Sequence, residues 1–122
     1  MNWFLAAGTA VSIGAWLILK RLSFVSPALA RQHLAADALV IDVRSPAEFA
    51  AGHLRGAVNL PLDRLAGELP QRVPDKDRVL LLHCLSGGRS GLAQLQARRL
   101  GYPNALNLGS LARARRIIGV EV

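Results

Sequence analysis

The chain has 122 residues, a formal net charge of +7 and one cysteine, a length that suits a single domain with a modest core. One cysteine excludes an internal disulfide and a cysteine-based zinc site, and the three histidines form no metal-ligand spacing. The basic residues are scattered, with little aromatic content to interleave with them, so no nucleic-acid partner is expected.

Taken in chain order, residues 3–19 come first: no charged side chain occurs between Trp3 and Leu19. As a helix this stretch would span about 25 Å, slightly less than a hydrocarbon core of about 30 Å. Trp3 and Trp16 lie near its ends, where indoles favour the membrane interface. A signal peptide and a buried helix compete with this reading, but Met1-Asn2 lacks the positive start of a signal peptide. Lys20-Arg21 follow at once and favour keeping their side in the cytoplasm. The expectation is a single-pass transmembrane anchor over residues 1–22, set in a bacterial-type inner membrane through residues 3–19. Residues 23–122 would then form a domain facing the cytoplasm.

Ser26-Pro27 can cap and open a helix to about Ala36. Leu39-Val40-Ile41-Asp42-Val43 reads as a buried strand, and Ser45-Pro46-Ala47-Glu48 as a capping box opening a short helix that Gly52 ends. A brief strand within Gly56–Pro61 and a short helix over Leu62–Leu69 follow, then a polar loop through Pro70–Lys76. Arg78–His83 is an apolar strand and Ser90–Leu100 a helix, closed by Gly101 and Pro103. Ala105–Leu108 gives a last strand and Ser110–Ile118 a last helix. Strands alternating with helices predict an α/β fold, a central parallel sheet flanked by helices on both faces.

Between the fullest strand and the longest soluble helix stands His83-Cys84-Leu85-Ser86-Gly87-Gly88-Arg89-Ser90. A thiolate at the end of a strand, facing a helix amino terminus, gains from unpaired backbone N–H groups and the helix dipole. Two glycines let the backbone curl round an anion, and Arg89 adds positive charge at the far end. Ligands of parallel sheets bind beyond the carboxyl ends of strands, where Asp42 and Cys84 both lie. Asp42 is expected to brace the neighbouring loop and Arg44 to pair with Glu48. His53 should fix the turn after Gly52, and His83 should point to the sheet face opposite Cys84. Arg113, Arg115 and Arg116 read as a solvated helix face.

The stretch LVIDVRSPAEFAAGHLRGAVNLPL, Leu39–Leu62, resembles the first signature of rhodanese domains. HCLSGGRS resembles that family's active-site loop, and Leu100-Gly101-Tyr102 with Asn107-Leu108 its closing segment. The resemblance implies a rhodanese-like sheet with flanking helices over residues 23–122, and it implies a sulfurtransferase. Cys84 would attack the sulfane sulfur of a small-molecule or protein donor, carry it as a persulfide and pass it to a thiol or cyanide. Leu85, Ser86, Gly87, Gly88, Arg89 and Ser90 would form the anion-binding loop, with Asp42 and Arg44 in support. No metal or cofactor is implied. The Cys-x4-Arg spacing separates the loop from the Cys-x5-Arg of related phosphatases and arsenate reductases. Leu85 stands where many members have a basic residue, which leaves a non-catalytic sulfur-sensing or docking module as the alternative.

Overall fold

The computed structural model describes residues 13–15 and 24–119. Apart from 13–15, the anchor expected over residues 3–19 lies outside the described residues. Among the described residues no helix is long and apolar enough to cross a membrane.

The elements are α1 (Pro27–Ala35), β1 (Leu39–Asp42), α2 (Pro46–Ala51), β2 (Val58–Asn59), a 3-10 turn (Leu62–Arg64) running into α3 (Leu65–Arg72), β3 (Leu80–Cys84), α4 (Gly88–Arg99), β4 (Ala105–Ser110) and α5 (Leu111–Ile118). All strand pairs are parallel, in the order β2-β1-β3-β4. The central position of β3 follows from its composition: all five residues are buried, as a strand covered on both faces requires.

Side chains alternate across the sheet and build two separate cores. On one face Ile41, Leu80, Leu82 and Cys84 pack against Leu65 and Leu69 of α3 and Ala93 and Ala97 of α4. On the other, Val40, Leu81 and Leu108 meet Ala30 of α1 and Ala114 and Ile117 of α5. The expected architecture, a parallel sheet with helices on both faces, is the one observed.

Local chemistry sets the boundaries. Ser26 Oγ accepts from the Leu29 N–H at 3.2 Å at the start of α1. Ser45 and Glu48 form the reciprocal capping box of α2, each bond 3.2 Å long, and satisfy donors that a helix start leaves open. Four elements outrun their predicted limits, β3 by the single residue Cys84. α3 continues through Pro70 to Arg72, because buried Leu69 and Val73 hold that turn in the core and Tyr102 Oη donates to the Val73 carbonyl at 2.5 Å. α4 starts at Gly88 rather than Ser90. β4 reaches Ser110 because a bulge opposite Leu82/His83 takes up Leu108 as an extra residue, pairing His83 with Gly109 and Cys84 with Ser110. Bulges of this kind re-aim the chain beside functional sites.

Candidate active site

Cys84 is the last residue of β3, and the chain leaves it in a tight loop that returns as α4. Gly87 is the pivot, with a left-handed φ of +97° that an L side chain rarely adopts. This conformation turns the Gly87 N–H onto Cys84 Sγ at 2.9 Å. Ser90, one helical turn on, brings its hydroxyl to 3.5 Å from the same sulfur. The loop's outer flank is sewn to the sheet: Ser86 bridges Ser110, and the Leu111 N–H donates to the Leu85 carbonyl at 3.2 Å. Leu85 itself faces outward, 56% exposed, while Cys84 is fully buried.

Burial alone would push the Cys84 thiol up. The Ser90 hydroxyl, then the backbone N–H groups of Ser90, Gly87 and Ser86, outweigh it and leave the thiol below its ordinary value. Hydrogen bonds to the charged form produce that direction, and a lowered thiol is a more abundant nucleophile.

Arg89 does not point into the ring. Its guanidinium forks onto Glu48, with Nη1 2.6 Å from Oε1 and Nη2 2.9 Å from Oε2. This bidentate pair bolts the start of α4 to α2, and Arg89 holds the Glu48 carboxyl down at about 2. The Arg89 charge still lies near enough to Cys84 for a thiolate to favour it. Beside Arg89 opens a pocket of about 490 Å³ lined by Val43, Ser45, Leu62, Asp63 and Gln96.

The expected Arg44–Glu48 pair is therefore corrected. Arg44 instead turns back on Asp42: Nε lies 3.0 Å from both carboxylate oxygens and Nη2 2.8 Å from Oδ2. Nη2 also donates to the Gly52 carbonyl at 2.7 Å. Both side chains are buried, so this pair fixes the end of β1 to the turn after α2. Asn59 Nδ2 adds bonds of 3.0 Å to the Asp42 and Arg44 carbonyls. His53 holds its turn as expected, with Nδ1 2.8 Å from the Phe49 carbonyl oxygen and its ring stacked on Phe49.

His83 is fully buried, with Nε2 3.8 Å from Asp42 Oδ2. Burial pushes it below its ordinary value, against the opposing pull of Asp42. Arg113 departs from the solvated face predicted for it. It folds inward, Nη1 donating to the Leu108 carbonyl at 2.7 Å and Nη2 to the Val25 carbonyl at 2.5 Å.

Among the predicted loop residues, Gly87 and Ser90 converge on the Cys84 sulfur, whereas the Arg89 side chain turns away to Glu48. Asp42 and Arg44 stand one strand away as a brace. The sequence reading missed Glu48 as the partner of Arg89, placed Gly109 only within the closing segment, and gave Phe24 no part. The first had a signal in the carboxylate of the capping box; Phe24 had none, because its contacts join distant parts of the chain. Among the described residues no cluster of His, Cys, Asp and Glu could hold a metal ion.

Comparison with known proteins gives this geometry its family. The model of the Rhodanese-like domain matches residues 26–112. Thiosulfate sulfurtransferase PspE of Escherichia coli K12 is 33% identical over 95 residues, covering 78% of this chain and 86% of that protein. Among solved structures, the human single-domain sulfurtransferase TSTD1 superposes with a TM-score of 0.68 at 32% identity, over 77% of this chain and 96% of that one. A rhodanese with anions from E. coli gives 0.63 at 31% identity, over 70% of this chain and 98% of that one. With its fold, its loop and these relatives in agreement, the chain belongs to the rhodanese-like domain family.

Proposed function

We propose that the protein is a sulfurtransferase that moves sulfane sulfur through a persulfide on Cys84. The observation that carries this reading is the 2.9 Å approach of the Gly87 N–H to Cys84 Sγ, inside a loop closed by Ser90. A ring of donors aimed at one sulfur stabilises negative charge where a thiolate, and then a persulfide anion, would carry it. The names of the relatives, a thiosulfate sulfurtransferase and a rhodanese with anions, support the same chemistry.

With thiosulfate as donor, the Cys84 thiolate attacks the outer sulfur. The S–S bond of thiosulfate breaks, sulfite leaves with the bonding electron pair, and Cys84 becomes a persulfide anion. An acceptor thiolate, or cyanide, then attacks the terminal sulfur. The Cys84–sulfur bond breaks and the Cys84 thiolate returns with its electron pair. No net oxidant or reductant is consumed. Glutathione persulfide or a protein persulfide would enter the same cycle, releasing a thiolate in place of sulfite.

In this scheme Leu85, Ser86, Gly88 and Arg89 complete the cradle, and Asp42 with Arg44 supports it from β1. The membrane anchor over residues 3–19 remains part of the proposal. It would hold the domain at the cytoplasmic face of a bacterial inner membrane, with Lys20-Arg21 beside the anionic leaflet.

Intact mass tests the central claim. The purified full chain, incubated with thiosulfate or glutathione persulfide, should gain one sulfur atom that reductant removes, and the Cys84→Ser variant should gain none. Absence of any gain with either donor overturns sulfur transfer and favours the non-catalytic docking module, whose outward surface at this loop would be Leu85.

A further inference from the structure

Gly87 and Gly109 both adopt left-handed backbone, φ +97° and +99°, and lie close enough that a Cβ on Gly87 would stand 3.7 Å from the Gly109 carbonyl carbon. Neither has a side chain, so a bare patch is left where the loop meets the end of β4. The ring of Phe24 fills it. A Cβ built on Gly87 would stand 2.8 Å from Phe24 Cζ, and one on Gly109 would stand 3.3 Å from Cδ2 and Cε2. The ring thus packs against the α-carbon of the residue whose N–H meets the Cys84 sulfur.

Phe24 is itself held in place. It bridges Asn107 of β4, and the next residue, Val25, donates its N–H to the Asn107 carbonyl at 2.8 Å. The Arg113 guanidinium lies over the ring, 5.2 Å from its centroid, while gripping the Val25 and Leu108 carbonyls. The carbonyl side of Gly87 is tied separately, by Ser90 Oγ at 3.1 Å and Asn107 Nδ2 at 3.4 Å. Polar groups hold one side of this residue, and an aromatic ring backs the other.

We infer that Phe24 is a positioning residue for the sulfur-carrying loop, seating Gly87 so that its N–H meets Cys84. This inference rests on the reading of Cys84 as the sulfur carrier. On this inference Phe24 acts through the glycines its ring packs against, Gly87 above all. Of the charged groups around Cys84, Arg89 of α4 is engaged by Glu48 of α2, while Asp42 of β1, paired with Arg44, shares the opposite sheet face with His83. Burial pushes His83 of β3 below its ordinary value, and Arg113 of α5 is bound to backbone carbonyls. Phe24 contributes no charge, so its effect on the thiol would be purely geometric.

The test is the pH midpoint of Cys84 ionisation, read from thiolate ultraviolet absorbance in the purified full chain. Phe24→Ala should raise the midpoint by about one unit, a roughly tenfold lower thiolate fraction below it. Phe24→Leu keeps apolar volume against Gly87 and should restore most of the shift, and it also covers the case in which Phe24→Ala folds poorly. Phe24→Tyr places a hydroxyl on the ring carbon nearest Gly87 and should raise the midpoint as the alanine does. A midpoint that stays at the wild-type value in folded Phe24→Ala and Phe24→Tyr overturns the inference, leaving Phe24 as a fastener of the chain. The titration uses no sulfur donor. If the wild type takes up no sulfur, the sulfur-transfer reading fails while the midpoints still decide the part played by Phe24.

Discussion

Replacing Ser90 by alanine removes one fully buried hydroxyl and leaves the helix that presents it intact. That hydroxyl has a single proton and three acceptors in reach: the Gly87 carbonyl at 3.1 Å, the Gly109 carbonyl at 3.4 Å and Cys84 Sγ at 3.5 Å. With a neutral thiol the nearer carbonyl takes it; ionisation of Cys84 draws it to sulfur. A hydrogen bond to a charged group is worth about 1.5–3 kcal/mol. The long separation places this one at the lower end, and about 1.4 kcal/mol is one pH unit. The Ser90→Ala midpoint should therefore rise by about one unit, leaving about tenfold less thiolate at any pH below both midpoints. Each remaining thiolate is a better nucleophile, and a Brønsted coefficient of about 0.4–0.5 returns about a factor of three. Persulfide formation from thiosulfate should thus be about threefold slower than wild type at low pH and about threefold faster above both midpoints. Stopped-flow rates across the pH range, with sulfite release as the readout, would show the two curves crossing. An unshifted midpoint, or a rate reduced by the same factor at every pH, refutes the reasoning.

Two further outcomes follow from the ion pairs. Glu48→Gln keeps an oxygen for the cap of α2 but loses the charge that Arg89 grips. The pair is half-open to solvent, so the variant should lose about 1 kcal/mol or less at neutral pH. Because the folded carboxyl sits at about 2 and an unfolded one at about 4.3, this advantage is present above the unfolded value. It fades as pH falls towards the folded one, so denaturant midpoints of variant and wild type should converge in acid. Asp42→Asn strands the buried Arg44 charge and should cost about 3–5 kcal/mol in urea unfolding; a loss below about 1 kcal/mol would mean that the pair is a surface contact in energetic terms.

Legibility varied with the range of the contact. β3 and α4 were readable because an apolar run followed by two glycines and a polar helix admits few other arrangements, and the same signals located Cys84, Gly87 and Ser90. The choice of partner for Arg44 was not. An i,i+4 rule points to Glu48, but it holds only inside a helix, and Arg44 precedes α2 in extended chain. There, residues two apart share a side, which brings Arg44 to Asp42 and frees Glu48 for Arg89. That second pairing spans 41 positions and is fixed by how α2 and α4 pack, which no local pattern encodes. Leu108 shows the same limit: the bulge that absorbs it moves the end of β4 by the margin that lets Ser110 both cap α5 and meet the loop.

The first residue of the folding unit and the first residue of the working unit are not the same. The family match begins at residue 26, the residue that caps α1, and a fragment trimmed to that point would retain every strand and every helix of the sheet domain. It would also discard the aromatic ring behind Gly87. On the inference drawn above, such a fragment would keep its helices and strands, lose the core contact of Val25 and its bonds to Asn107 and Arg113, and carry a less acidic thiol. A weak sulfur-uptake assay on it would then measure where the chain had been cut.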